Sequence, residues 1–272
     1  MDVQFTTRPL DATSITRKAL KQGYNRILAA GGDGTLNEVV NGFYDEEGII
    51  NPEACLAVVP IGTGGDFARL FSFSSDGQFL VHLLAINRLQ ACDVVRAAYT
   101  DWEGRRSNRY YINIADSGIG SETVARVNRS SKVLGGFWSF LLAALTSIAL
   151  YKNRYLAASI DGQEVFKGRS CLIAITNGQY FGGGVKIAPQ ATTNDGLLDV
   201  IIAKDFGKME LFSIMPSAYR GGHLNHSKVE FHRGRHVIIK STEDIYLEID
   251  GESVGRGDFE FEIMPAALQL VI

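Results

Sequence analysis

Two glycine-rich loops, Gly31-Gly32-Asp33-Gly34-Thr35 and Gly62-Thr63-Gly64-Gly65-Asp66, each follow an apolar strand-like run and each open into helix-like sequence, Leu36–Phe43 and Phe67–Phe71. That pairing limits the chain to folds in which strands feed directly into helices through tight turns. Glycine accepts backbone angles closed to other residues, and N–H groups at a helix start can face an anion. Each loop carries one aspartate, which repels a bare phosphate but suits one bridged by magnesium. Side by side, the loops imply a nucleoside triphosphate site. Either one alone could equally be a hairpin or a sharp strand-to-helix turn.

The site is not of the common kinds. No G-x-x-x-x-G-K-[ST] and no strand-borne G-x-G-x-x-G occurs, which excludes the P-loop and the ordinary dinucleotide fingerprint. The His-Arg-Asp and Asp-Phe-Gly segments of protein kinases are also missing. A formal net charge of −3 leaves no basic excess for binding nucleic acid. The hydrophobic share of 46% and charged share of 21% are those of an ordinary globular protein with ample core. Cys55, Cys92 and Cys171 are widely spaced and odd in number, so buried free thiols in a reducing compartment are expected. The N-terminus lacks the basic and apolar regions of a signal peptide. Val133–Tyr151 is uncharged for nineteen positions, close to the roughly 20 a membrane span needs. Gly135, Gly136, Ser139, Thr146 and Ser147 dilute it, and it reads as a buried helix or one lining an apolar cleft.

Strand and helix alternate through the first part of the chain. Val3–Thr7, Arg26–Ala30 and Leu56–Pro60 read as strands; Ala12–Gln22, Leu36–Phe43, Phe67–Phe71 and Phe79–Ile86 read as helices. Such alternation predicts βαβ units and a mostly parallel sheet, with ligands gathering beyond the carboxyl ends of strands. Further on, strands are expected at Gln90–Thr100, Arg109–Ile114, Tyr155–Ile160, Gln163–Thr176, Leu197–Ala203, Ser227–Phe231, His236–Ser241, Ile245–Ile249, Phe259–Met264 and Leu268–Ile272. Asp161–Gly162 is a tight hairpin signal, and His232–His236 reads as a turn between two strands. Helices are expected at Ile119–Asn128, Phe137–Tyr151 and Lys208–Ser217. Many consecutive strands with short turns predict an antiparallel sandwich or barrel-like second domain.

Several blocks in order resemble the diacylglycerol kinase catalytic family, specifically its soluble bacterial lipid kinases. These are relatives of sphingosine and ceramide kinases and, more distantly, of NAD kinases and phosphofructokinases. The blocks are Gly31–Gly42, Pro60–Arg69, Cys92–Val95, Asn113–Glu122, Asn177–Ile202 and Ile249–Glu252. The resemblance implies an α/β N-terminal domain with a mostly parallel sheet and a β-rich, sandwich-like C-terminal domain, with the active site in the cleft between them. Residues 1–90 and 91–272 would be those domains, the last strands returning to the first.

The activity implied is ATP- and magnesium-dependent phosphorylation of a lipid hydroxyl, such as that of diacylglycerol or a related glycerolipid or sphingoid alcohol. Phosphoryl transfer needs positioning and charge neutralisation more than covalent chemistry. By the resemblance, Gly31, Gly32, Asp33, Gly34, Thr35, Glu38, Gly62, Thr63, Gly64, Asp66 and Asp93 bind nucleotide, with Asp66 and Asp93 also on the magnesium. Asp250 is the base that takes the hydroxyl proton, and Glu252 joins the metal–water network. Asp195, with the carbonyls of Thr192 and Leu197, would hold a structural magnesium. Read from residues alone, Asp250–Gly251 is a type I′ turn, Asp33 and Asp66 are helix caps, and Asn194-Asp195-Gly196 is a plain turn.

Two departures from the family pattern are visible. Gly65 stands where the family usually has asparagine, which would weaken ATP binding by about 1 kcal/mol. No counterpart of the family's opening strand and its N-P-x-x-G turn precedes Val3, so the first domain is expected to be shortened. Two rival readings follow: a kinase of a polar small molecule, as in the NAD kinases, or a non-catalytic lipid or nucleotide binder. The lipid-kinase reading places the protein in the cytoplasm at the membrane periphery, and a homodimer through exposed strands stays open.

Overall fold

The structure is a computed structural model that describes residues 2–61, 65–85, 88–129 and 146–272. Helix α1 (Asp11–Lys21), strand β1 (Arg26–Gly31) and helix α2 (Asp33–Gly42) are followed by a small hairpin of β2 (Tyr44–Asp45) and β3 (Gly48–Ile49). Strand β4 (Cys55–Pro60) and helices α3 (Asp66–Leu70) and α4 (Gly77–Ala85) complete this part. β1 and β4 pair in parallel, in register from Arg26–Cys55 to Gly31–Pro60. Helix α2 supplies the crossover that parallel strands require, burying Leu36, Val39 and Val40.

The remaining strands pair antiparallel with one another. They are β5 (Leu89–Asp101), β6 (Arg106–Tyr111), β7 (Ile114–Gly118), β8 (Arg154–Ile160), β9 (Gln163–Thr176), a β10–β11 hairpin (Tyr180–Phe181, Val185–Lys186), β12 (Leu198–Lys204), β13 (Val229–Gly234), β14 (His236–Ser241), β15 (Tyr246–Ile249) and β16 (Glu252–Val271). Helices α5 (Ile119–Arg129) and α6 (Lys208–Ala218) interrupt them. Twelve of the strands form one sheet with the main path β1-β4-β16-β14-β8-β9-β12-β13. Its parallel part is small: β1 with β4, and β4 with the end of β16 through Gln269–Cys55 and Leu270–Leu56.

Two large cores result. One gathers Leu36, Val40, Phe43, Leu56, Val58, Phe67, Cys92, Val94, Leu268 and Leu270. The other gathers inward residues of the antiparallel strands, among them Val95, Ala97, Tyr111, Ile173, Ile175, Phe259 and Phe261. β5 and β16 pass through both. Cys55, Cys92 and Cys171 are buried and unpaired.

Several expectations need correction. Val3–Thr7 is not a strand; Val3 and Phe5 are 62% and 84% exposed, and β1 pairs only with β4, leaving this stretch no ladder partner. The run Arg109–Ile114 divides between β6 and β7, because the Asn113 carbonyl turns to accept N–H bonds from Asn177 and Gly178. Phe259–Met264 and Leu268–Ile272 belong to one strand, β16. Pro265 reads as a break, but the register shifts between Met264 and Leu268 place it at a bulge, where a missing N–H is tolerated. His232–His236 is no hairpin, since β13 pairs with β12 whereas β14 pairs with β8 and β16. Phe137–Tyr151 lies mostly outside the described residues.

Candidate active site

The end of β1 delivers Asp33 to the start of α2. Its two carboxylate oxygens accept the N–H groups of Asp66 and Phe67 at 3.2 and 3.4 Å. Asp33 thus caps α3, whose own start has no side-chain cap, and the two glycine loops are joined through one carboxylate. Thr35 folds back so that its Cβ lies 2.6 Å from where a side chain on Gly31 would begin, which only glycine permits. Gly65, just before α3, has φ 68°. That left-handed conformation suits glycine and is one asparagine also tolerates. Gly62, Thr63 and Gly64 lie outside the described residues.

Asp66 is 5% exposed, and its Oδ2 accepts the N–H of Gly183 at 2.8 Å. Its Oδ1 is buried without a hydrogen-bond partner among the described residues; Arg69 Nε approaches only to 3.9 Å. Burial raises the Asp66 pKa, the Gly183 bond opposes this, and the Asp33 charge raises it further. An orphaned buried carboxylate oxygen beside a second carboxylate is a donor set that fits magnesium. Among the described residues no three acidic, His or Cys side chains converge closely enough to hold an ion unaided. That also suits magnesium, which takes one or two carboxylates and completes its shell with phosphate and water.

The turn from β15 to β16 brings Asp250 and Glu252 to the same place. Asp250 and Gly251 have φ 46° and 88°, the left-handed pair of a type I′ turn. The Asp250 carboxylate accepts the Ile114 N–H at 3.0 Å and Asn37 Nδ2 at 2.9 Å. Asn37, inside α2, is held in turn by Arg109 Nε on its Oδ1 at 2.7 Å. Burial pushes the Asp250 pKa up to about 7; the Ile114 and Asn37 bonds oppose this, the Asp33 charge adds to it, and Arg109 opposes it. Glu252 is exposed, and its Oε1 lies 3.5 Å from the position a side chain on Gly34 would occupy. Asp33, Asp66, Asp250 and Glu252 therefore surround the start of α2.

Three expected site residues are elsewhere. Glu38 accepts the N–H groups of Leu10 and Ala12 at 2.9 and 3.0 Å. It closes the start of α1. Asp93 accepts the N–H groups of Gly196 and Ala266, both at 2.7 Å. It ties the 192–197 turn and the β16 bulge to β5. Asp195 pairs with Arg233, which also reaches Asp199 at 2.7 Å. Partial burial would raise the Asp195 pKa, but bonds from Arg233, Thr192 and Leu197 hold it low. A guanidinium already neutralises this turn, and Leu197 contributes its N–H to Asp195 at 3.1 Å.

Beside the carboxylates lies an apolar cavity lined by Ile119, Leu172, Phe181, Ile201, Leu211 and Ile214, among others. The β10–β11 hairpin joins cavity and site: Phe181, Gly182 and Val185 line the cavity, while the intervening Gly183 holds Asp66.

Comparison with known proteins agrees. Residues 1–97 match the diacylglycerol kinase catalytic domain and residues 113–272 the YegS C-terminal NAD kinase beta sandwich-like domain. A diacylglycerol kinase of Staphylococcus haemolyticus (strain JCSC1435) is 32% identical over 92% of this chain and 72% of its own. One from Staphylococcus carnosus (strain TM300) is 31% identical over 92% and 78%. Among solved structures, a Bacillus anthracis str. Sterne protein described as a diacylglycerol kinase superposes with a TM-score of 0.70 at 20% identity, covering 98% of this chain and 82% of its own. Yeast NADH kinase superposes at 0.52, with 12% identity over 91% and 60%. The structural likenesses establish the fold: mixed α/β, with a sandwich-like C-terminal part.

Proposed function

The chain belongs to the diacylglycerol kinase catalytic family, and we propose that it transfers the γ-phosphoryl group of ATP to a lipid hydroxyl with the help of magnesium. The observation that carries this reading is the β10–β11 hairpin, where one residue binds the metal-side aspartate and its neighbours line an apolar cavity. A polar acceptor would have no use for such a wall; an acyl chain would.

In this reading Asp33 and Asp66 hold the nucleotide side, and Asp66 Oδ1 would hold the ion. When bound, magnesium neutralises charge on the transferring phosphate. Asp250 accepts the proton of the lipid hydroxyl. A base with a pKa near the working pH is both ionised and able to take a proton, and the pKa of about 7 at Asp250 meets that condition. Asn37 and the Ile114 N–H orient it, and Glu252 faces the phosphate loop and orders water around the ion. A loose transition state asks little proton transfer before the phosphoryl group leaves. The acceptor dissolves in membranes, so the enzyme works at a membrane surface; no described helix is long and apolar enough to cross one.

The test is incorporation of labelled phosphate from ATP with a panel of diacylglycerol, phosphatidylglycerol and ceramide, measured against NAD. Label in the organic phase is expected. Label confined to aqueous product would transfer the reading to a polar acceptor, and no label at all would leave a binding protein. Asp250→Asn and Glu252→Gln assign the base. Turnover lost only in the second would move that role to Glu252.

A further inference from the structure

Strands β7 and β15 lie side by side, with Glu248 directly opposite Asp116. Both side chains are buried, at 0% exposure for Asp116 and 4% for Glu248; they face each other across the ladder, and Asp116 Oδ2 has no other hydrogen-bond donor among the described residues. A hydrogen bond between the two carboxyl groups needs a proton on one of them. Two ionised carboxylates in contact away from water would repel strongly. Burial raises the pKa of both, and for Glu248 the Asp116 charge raises it further.

Each partner also holds one backbone N–H, and these two point in different directions. Asp116 Oδ1 accepts the Ser121 N–H at 2.8 Å in the first turn of α5. The residues around it, Ile119, Gly120 and Thr123, line the apolar cavity. The approach is so close that a side chain at Gly120 would begin 2.4 Å from Asp116. On the other side, Glu248 accepts the N–H of Gly251, in the turn that carries Asp250 and Glu252. The pair therefore connects the cavity wall to the carboxylate turn through side chains alone.

Stability does not explain such an arrangement. Apolar residues of similar volume commonly replace a buried charged pair without loss, and this pair is enclosed on the strand face opposite to Ala115, Leu247 and Ile249. A hydrogen-bonded pair does what leucines could not: it fixes direction. We propose that Asp116 and Glu248 are a proton-sharing positioning pair that holds the Asp250–Glu252 turn in register with the wall of the lipid cavity. The role rests on the assignment of that turn as the catalytic one, and neither residue touches the reacting atoms.

The experiment measures kcat and KM for ATP and for lipid in the full chain, with melting followed in parallel. Glu248→Leu leaves the Gly251 N–H without its acceptor. It should lower kcat by about tenfold or more while the KM for ATP changes less than about twofold, because misplacement of a reacting group acts on the chemical step. Glu248→Gln donates to Asp116 and still accepts from Gly251, so it should recover kcat to within about threefold of wild type. Asp116→Ala and Asp116→Asn form the same contrast from the other side, should Glu248→Leu fail to fold. Wild-type kcat in folded Glu248→Leu or Asp116→Ala would overturn the proposal. So would equal loss in Glu248→Gln and Glu248→Leu. If those variants are active while Asp250→Asn is dead, the turn keeps its role and the pair loses its own. If Asp250→Asn and Glu252→Gln are both fully active, the reading of the turn itself fails.

Discussion

Asn37 donates to Asp250 at 2.9 Å across 213 positions of sequence. The donor sits inside α2, behind the first glycine loop, and the acceptor on the last turn before the long closing strand. Arg109 holds the other end of the same amide. The proposed base is thus oriented from the part of the chain that carries the first glycine loop, although it sits on the antiparallel part.

The acid limb of the pH–rate profile should report Asp250. Its ionised form is the active one, so kcat/KM should rise with pH to a midpoint close to the pKa of about 7. Arg109 lowers that pKa, so Arg109→Gln should move the limb to higher pH. A limb that stays put, or moves down, would refute the link. Because the native pKa lies above the ordinary 3.8, the folded chain holds this proton longer than the unfolded one. Stability from this residue therefore declines as pH rises from about 4 to about 7 and is level above that. Asp250→Asn should show less loss of melting temperature than wild type across that window.

Asp66→Asn keeps an acceptor for Gly183 but removes the charge. Turnover should fall by about 10²-fold or more, with no loss of melting temperature, since the change also removes a buried charge of raised pKa. Near-normal turnover would dispose of the ion-facing role.

Glu38→Ala separates capping from nucleotide binding. Loss of the bonds to Leu10 and Ala12 should cost about 1 kcal/mol of stability, read from chemical denaturation, while the KM for ATP is unchanged. A raised KM at full stability would restore Glu38 to the nucleotide site.

The turn at Asp195 should be indifferent to magnesium. Asp195→Ala should lower the melting temperature by the same amount with and without added Mg²⁺, because Arg233 is its cation. A magnesium-dependent stabilisation present in wild type and absent in the variant would reinstate a metal there.

Ala203→Phe should fill part of the apolar cavity, which Ala203 lines. The KM for lipid should rise about tenfold, the equivalent of about 1.4 kcal/mol of lost apolar contact, with the KM for ATP unchanged. Unchanged lipid kinetics would place the acyl chain elsewhere.

Period and turn chemistry made most of the elements readable before any coordinates. The Asp161–Gly162 hairpin, the helices after both glycine loops and the apolar run of β9 all carry strong local signals. What escaped was the set of buried polar residues. Asn37 and Asn41, four apart on one face of α2, form a polar stripe between the apolar residues Leu36, Val39 and Val40. Asp116 and Glu248 each stand alone in apolar strand sequence, where burial demands a partner. The same argument singled out Asp93, whose oxygens accept the N–H groups of Gly196 and Ala266. Sequence shows that a buried carboxylate needs something; only the strand register shows what it meets. Glu38 illustrates the converse, a motif residue whose helix lies over a neighbour the motif does not include.

β5 and β16 run through both cores, and at their crossing point Asp93 clasps the bulge of one strand from within the other. The molecule is spliced, not hinged. A force that tried to swing one half away from the other would have to shear the antiparallel ladder between these strands, which extends from Gly255–Asp101 to Val271–Leu89. Under the proposed function, room for an incoming acyl chain would come from the cavity's own rim, the β10–β11 hairpin and the start of α5, with the ladder between β5 and β16 left intact.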